Sequence, residues 1–124
     1  MGDLSRNFNR SEFACRGEDC CDHSAPVHPD LIEALQALRD RIGKPLSITS
    51  GFRCNRHNQA IGGEDHSFHT LGMAVDVACP EGISPKQLAA LAEGIDLFRE
   101  GGIGIYPSWV HLDVRKSGKA RWRK

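Results

Sequence analysis

The segment Ser67-Phe68-His69-Thr70-Leu71-Gly72-Met73-Ala74-Val75-Asp76 links an imidazole to a carboxylate through a fixed spacer that contains a glycine. A second imidazole, His111, follows 35 residues after Asp76, in Trp109-Val110-His111-Leu112-Asp113-Val114-Arg115. Two histidines and one aspartate make a three-donor set of the kind that holds a catalytic zinc and leaves a fourth position for water. Such a centre implies hydrolysis. Amide hydrolysis also needs a donor for the developing oxyanion or for a substrate carboxylate. Arg53, in Ser50-Gly51-Phe52-Arg53, offers a planar, permanently charged guanidinium that suits both. Ser67 could bond substrate or orient its own loop.

These residues must be carried by elements that bring them together. Asp76 lies in the apolar run Met73 to Ala78, which reads as a strand. A carboxylate placed there needs a partner, because unpaired buried charge is costly. A metal would supply one, as would backbone amides or an arginine. Side chains two apart on a strand share a face. Trp109, His111, Asp113 and Arg115 therefore point one way, and Val110, Leu112 and Val114 point the other way into a core.

The rest of the chain supplies a scaffold. Asn9 to Phe13 opens like a short helix, with Glu12 placed as a capping-box partner. Leu31, Ile32, Leu35, Leu38 and Ile42 recur at helical spacing, which predicts a helix from Pro29 to Ile42, stopped by Gly43 and Pro45. Leu46 to Ser50 reads as a strand and Cys54 to Ile61 as a short helix. Ser84-Pro85-Lys86-Gln87 starts a helix that carries Leu88, Leu91, Ile95 and Phe98, with Gly94 as its weak point. Gly101 to Tyr106 and Trp109 to Val114 read as two strands joined at Pro107-Ser108. This order predicts one small α+β domain spanning residues 1–124, an antiparallel sheet on a helical layer, with its motifs between about residues 46 and 122.

Bulk properties narrow the partners. With 16 basic and 16 acidic residues among 124, the net charge is zero, so nothing draws the chain to nucleic acid or to an anionic membrane. No apolar run is long enough to span a bilayer, and the first residues do not resemble a signal peptide. The expectation is a monomer made in the cytoplasm and delivered by another route to any target outside the membrane. The basic stretch Lys116 to Lys124 reads as a solvated terminus. Cys15-x4-Cys20-Cys21-Asp22-His23 could hold a second, structural metal, but its spacing matches no standard zinc pattern. Reduced thiols or one local disulfide are expected for the five cysteines.

Ser50-Gly51-Phe52-Arg53, Asn58, Gly62-Gly63, the Ser-x-His-x2-Gly-x-Ala-x-Asp pattern from Ser67 to Asp76, Gly102-Ile103-Gly104-Ile105-Tyr106 and Val110 to Arg115 occur in that order. Together they resemble the zinc D-alanyl-D-alanine carboxypeptidase family, whose members include other peptidoglycan peptidases and phage endolysins. The likeness is to its short single-domain type. The resemblance implies a hedgehog/D-Ala-D-Ala-peptidase-like fold. It makes His69, Asp76 and His111 zinc ligands, Arg53 a group that binds substrate or transition state, and Ser67 a residue of the same cleft; Tyr106 and Trp109 are read as further substrate-binding residues. It implies hydrolysis in peptidoglycan stem peptides by a D,D-carboxypeptidase, with an endopeptidase close behind. The alternative is a non-catalytic zinc-binding module that recognises cell wall. The chain departs from the family at the general base. Many members have an acidic residue three positions before the last zinc histidine, where this chain has Ser108, and others have a histidine two positions before it, where this chain has Trp109. Asp113 is then the candidate base, with a role in fixing the tautomer of a ligand histidine as its alternative. Tyr106 and His66 are weaker candidates.

Overall fold

The computed structural model of the chain describes residues 2–18, 20–64 and 67–124. Its elements are a short 3-10 turn at Arg10–Phe13, α1 (Pro29–Ile42), β1 (Ser47–Ser50), α2 (Asn55–Ala60), a second 3-10 turn at Phe68–Leu71, β2 (Ala74–Ala78), α3 (Pro85–Ala92), α4 (Asp96–Arg99), β3 (Gly102–Ile105), β4 (Trp109–Asp113) and β5 (Ala120–Arg123). His66 lies outside the described residues. Among them, no helix is long and apolar enough to cross a membrane.

Helix α1 has the bounds its periodicity predicts. Pro29 stands in its first turn, where a missing N–H does no harm, and Gly43 closes it in the left-handed conformation. Its buried stripe of Leu31, Ile32, Ala34, Leu35 and Leu38 joins Leu88 and Ala92 of α3 and Phe98 of α4 over one face of the sheet. Each of the buried leucine, isoleucine and phenylalanine side chains stabilises the fold by about 1.5–3 kcal/mol relative to exposure. The helix expected to run from Ser84 through Phe98 is instead two: α3 ends at Ala92, and α4 begins after Gly94 and Ile95.

The five strands lie in the order β1-β2-β4-β3-β5. The first four pair antiparallel, as expected, but β5 runs parallel to β3. The stretch read as a solvated terminus thus completes the sheet. Only Ala120 and Trp122 turn inward from it, so its apolar face is too short to be seen among five basic residues. Arg121 anchors it, with a two-pronged ion pair to Glu93 and donated bonds to the carbonyls of Gly101 and Arg99.

The register separates core from chemistry. Ile48, Val77 and Val110 line up across one face, as do Val75, Leu112 and Ile103. On the other face a single row crosses all five strands: Ser50, Asp76, His111, Gly104, Trp122. The register of β1 shifts between Ile48 and Ser50, a bulge that brings Ser50 opposite Asp76 and re-aims the chain entering Gly51 to Arg53.

Candidate metal centre

Asp76 and His111 face each other because their strands pair at that position. His69 reaches them from the 3-10 turn, which Ser67 caps by accepting from the His69 N–H at 3.2 Å. Gly72 ends that turn at φ 69°, a left-handed conformation that glycine adopts without strain, and the chain enters β2 immediately after. The spacing from His69 to Asp76 therefore has a physical basis: one turn, one reversal, one strand.

The three side chains offer donor atoms that all lie within 4.8 Å of one another. His69 Nε2 and His111 Nδ1 are each 3.3 Å from Asp76 Oδ1. The remaining ring nitrogens are occupied. His69 Nδ1 donates to the Gly51 carbonyl at 2.8 Å, and His111 Nε2 donates to Asp113 Oδ2 at 2.7 Å. A carbonyl or carboxylate can only accept, so each ring must carry its proton on the outer nitrogen. In the neutral form each then turns a lone pair toward Asp76, and when protonated there it donates to that carboxylate instead. Two neutral imidazoles and a carboxylate, each oriented by an outer partner, fit a zinc ion.

Burial would raise the Asp76 carboxyl, but hydrogen bonds from His111 and His69 outweigh it and hold the group well below the usual carboxylate range. Burial would lower His111, yet its contacts with Asp113 and Asp76 raise it above the ordinary histidine value. Asp113 is fully buried. Burial pushes its carboxyl up, and the bonds from Arg115 and His111 drive it far below normal.

His69, Asp76 and His111 line a cleft of about 540 Å³. Arg53 enters it with its Nη2 3.1 Å from Asp76 Oδ2, and Ser67 and Tyr106 line it as well. Two expected residues do not reach it. Trp109 stacks on Tyr106 with ring centroids 4.5 Å apart and is not part of the lining. Asp113 spends both oxygens elsewhere: Oδ1 accepts from the Gly102 and Arg115 backbone N–H groups and from Arg115 Nε, and Oδ2 from His111 and Arg115 Nη2. The cleft also has walls that motif reading did not assign. Phe68 packs under the Arg115 guanidinium at 4.4 Å, Trp122 lies 4.9 Å from the His111 ring, and Glu64 and Lys124 face the same space. Glu64 follows the Gly62-Gly63 break five residues before His69, a placement that could have drawn attention to it.

The family model for Peptidase M15 matches residues 6–113. The chain belongs to the Peptidase M15 family. A search of curated proteins found no match. Membership makes the protein a metallopeptidase and agrees with the His/Asp/His cluster. The M15 match takes in the N-terminal segment from residue 6 and stops at Asp113, so Arg115, Trp122 and all of β5 lie beyond it.

One further expectation is corrected by the fold. The donor set proposed around Cys15, Cys20 and Cys21 does not include His23, whose Nδ1 bonds the Cys15 carbonyl at 2.9 Å. Cys54, distant in sequence, takes that place. All five cysteines are free thiols.

Proposed function

We propose that this M15 chain is a zinc-dependent peptidase acting on peptidoglycan stem peptides, with release of a C-terminal D-amino acid as its principal reaction. The observation that carries the reading is the convergence of the His69, Asp76 and His111 donor atoms, all within 4.8 Å of one another, in a cleft that Arg53, Arg115 and Lys124 also line. His69, Asp76 and His111 would hold the metal. Bound there, zinc acidifies water and polarises a carbonyl, the two needs of amide hydrolysis.

The chain's own groups do the rest. Arg53 is placed to donate to the carbonyl oxygen as negative charge develops on it. Among the described residues, Glu64 and Asp76 are the carboxylates in the lining, and Asp76 is committed to the centre. Glu64 is therefore our candidate to carry the proton from water to the departing amine. Asp113 holds the His111 tautomer instead. Lys124 and Arg115 offer positive charge to the carboxylate of a peptide end, the feature that favours exopeptidase over endopeptidase action. Phe68 and Trp122 flank the cleft and limit water around the bond being cut.

Mass spectrometry of muropeptides before and after incubation tests this. Loss of a terminal D-amino acid that stops with chelator is the expected result. Internal cleavage would reassign the bond. A zinc-loaded protein inert on a broad muropeptide panel would overturn catalysis in favour of a cell-wall-binding module.

A further inference from the structure

Cys15, Cys20, Cys21 and Cys54 bring their sulfurs within 4.8 Å of one another, apart from the His/Asp centre. Cys20 Sγ lies 3.9 Å from Cys15 Sγ and 3.8 Å from Cys21 Sγ. A zinc–thiolate bond of about 2.3 Å in tetrahedral geometry sets neighbouring sulfurs about 3.8 Å apart. Ordinary contact can bring one pair of thiols that close, but it does not gather four of a chain's five cysteines. Nor is this a patch of apolar core. Cys15 is buried, whereas Cys20, Cys21 and Cys54 are partly open to solvent.

The surrounding backbone is built to make the sulfurs meet. The Cys15 N–H donates to the Ser24 carbonyl at 2.8 Å, and Ser24 Oγ donates to the Cys21 carbonyl at 2.7 Å, closing the loop on itself. Asp22 and His23 both adopt φ 56°, so the chain reverses directly after the paired cysteines. At Gly17 a Cβ atom would come within 2.7 Å of Cys20 Sγ and 2.8 Å of the His57 side chain, so only glycine allows the loop to close on α2. Cys54 is the N-cap of α2, and its sulfur accepts from the His57 N–H at 3.4 Å, a bond that suits a thiolate.

We propose that Cys15, Cys20, Cys21 and Cys54 bind a structural zinc ion, a second metal distinct from that at His69, Asp76 and His111. Four soft sulfur donors in tetrahedral reach select zinc over magnesium or calcium. The ion would tie the N-terminal segment to the residue that follows Arg53. The same stretch supplies the Gly51 carbonyl that orients His69, and the Phe52 N–H bonds the Phe13 carbonyl at 2.8 Å. The cysteine site thus braces the segment that sets both a metal ligand and the cleft guanidinium.

The test uses the full chain, purified under reducing conditions and analysed for metal. Wild type should carry two zinc ions, and the His69→Ala/His111→Ala variant should keep one. Adding Cys54→Ser to that variant should remove it. With cobalt in place of zinc, the double-histidine variant should show sulfur-to-metal charge-transfer absorption, which histidine and aspartate ligands cannot produce. In wild type, the four sulfurs should resist alkylation until chelator is added, a readout that needs no variant to fold. A double-histidine variant free of zinc, iron in place of zinc, or a disulfide among the four cysteines would overturn the proposal. A wild type whose single zinc survives Cys54→Ser would defeat this site and leave the peptidase centre standing. One whose single zinc survives loss of both histidines would do the reverse.

Discussion

Asp76 presents its two oxygens to different partners: Oδ1 lies 3.3 Å from both imidazoles, and Oδ2 accepts from Arg53 at 3.1 Å. The metal-holding and substrate-binding roles proposed for this centre can therefore be separated by substitution. Arg53→Ala leaves the Oδ1 side intact, so zinc content should be unchanged while kcat falls about 100-fold, the usual loss for one oxyanion donor. Metal analysis alongside single-turnover kinetics checks this; loss of zinc would make Arg53 a support for the carboxylate. Asp113→Asn acts on the other side of the centre. Oδ2 of Asp113 receives two donors, His111 Nε2 and Arg115 Nη2, and an amide nitrogen placed there would meet both. His111 would have to move its proton to Nδ1 and lose the lone pair aimed at Asp76. Zinc affinity should drop about 10- to 100-fold, as expected for an outer partner of a metal ligand. Competition with a chromogenic chelator measures it, and unchanged affinity with abolished turnover would return Asp113 to the role of base. Glu64→Gln should do what Asp113→Asn does not: leave zinc affinity intact and lower kcat about 100- to 10,000-fold, the range for a lost general base.

The strands that carry these residues depend on a close approach between β3 and β5. Gly104 stands opposite both His111 and Trp122, and a Cβ there would fall 2.3 Å from the indole. Trp122 in turn donates to the Tyr106 hydroxyl at 3.1 Å. The missing side chain on β3 is what lets β5 lay an aromatic wall over the centre. Gly104→Ala should destabilise by about 1–3 kcal/mol through overpacking. In a Trp122→Ala background the same change should cost much less, a coupling that urea denaturation of the four proteins would reveal. A cost that persists without the indole would place the strain in the backbone. Helix α1 was legible to the residue because propensity, periodicity, the proline and the glycine all agree. The face of β4 was legible because alternation by two is strict. Strand β5 was not, since its two inward residues are hidden among charges and its partner is remote. Cys54 and Trp122 join their clusters only through the packing of α2 and the β3–β5 register, which no local spacing encodes. The position of Asp113 on the ligand face was read correctly from alternation. Its complete burial came from Arg115 and the Gly102 amide, which alternation cannot show.

Taken across the whole molecule, zero net charge conceals a concentrated pattern on one face of the sheet. Asp76 and Asp113 are paired with Arg53 and Arg115, and His111 lies between the two carboxylates. Without metal, that environment raises the His111 pKa, because protonation places a positive charge between two negative ones. Raised in the folded state, His111 contributes stability that is fully present below its unfolded value of about 6.5 and is lost as pH rises through its folded pKa. Zinc binding has the opposite sign. It needs the Nδ1 lone pair, so the ion must displace the proton, and affinity should climb about tenfold per pH unit until the folded pKa is passed and then level off. Asp76 adds no slope in this range, since its carboxyl is held well below normal and stays ionised throughout. Metal-free protein should therefore become less stable, and metal-loaded protein relatively more so, as pH rises above about 6.5. Thermal unfolding with and without zinc across that range, with proton release followed in weak buffer, measures both arms. A zinc affinity flat with pH would mean that His111 is already neutral in the metal-free fold and that the two carboxylates do not share it.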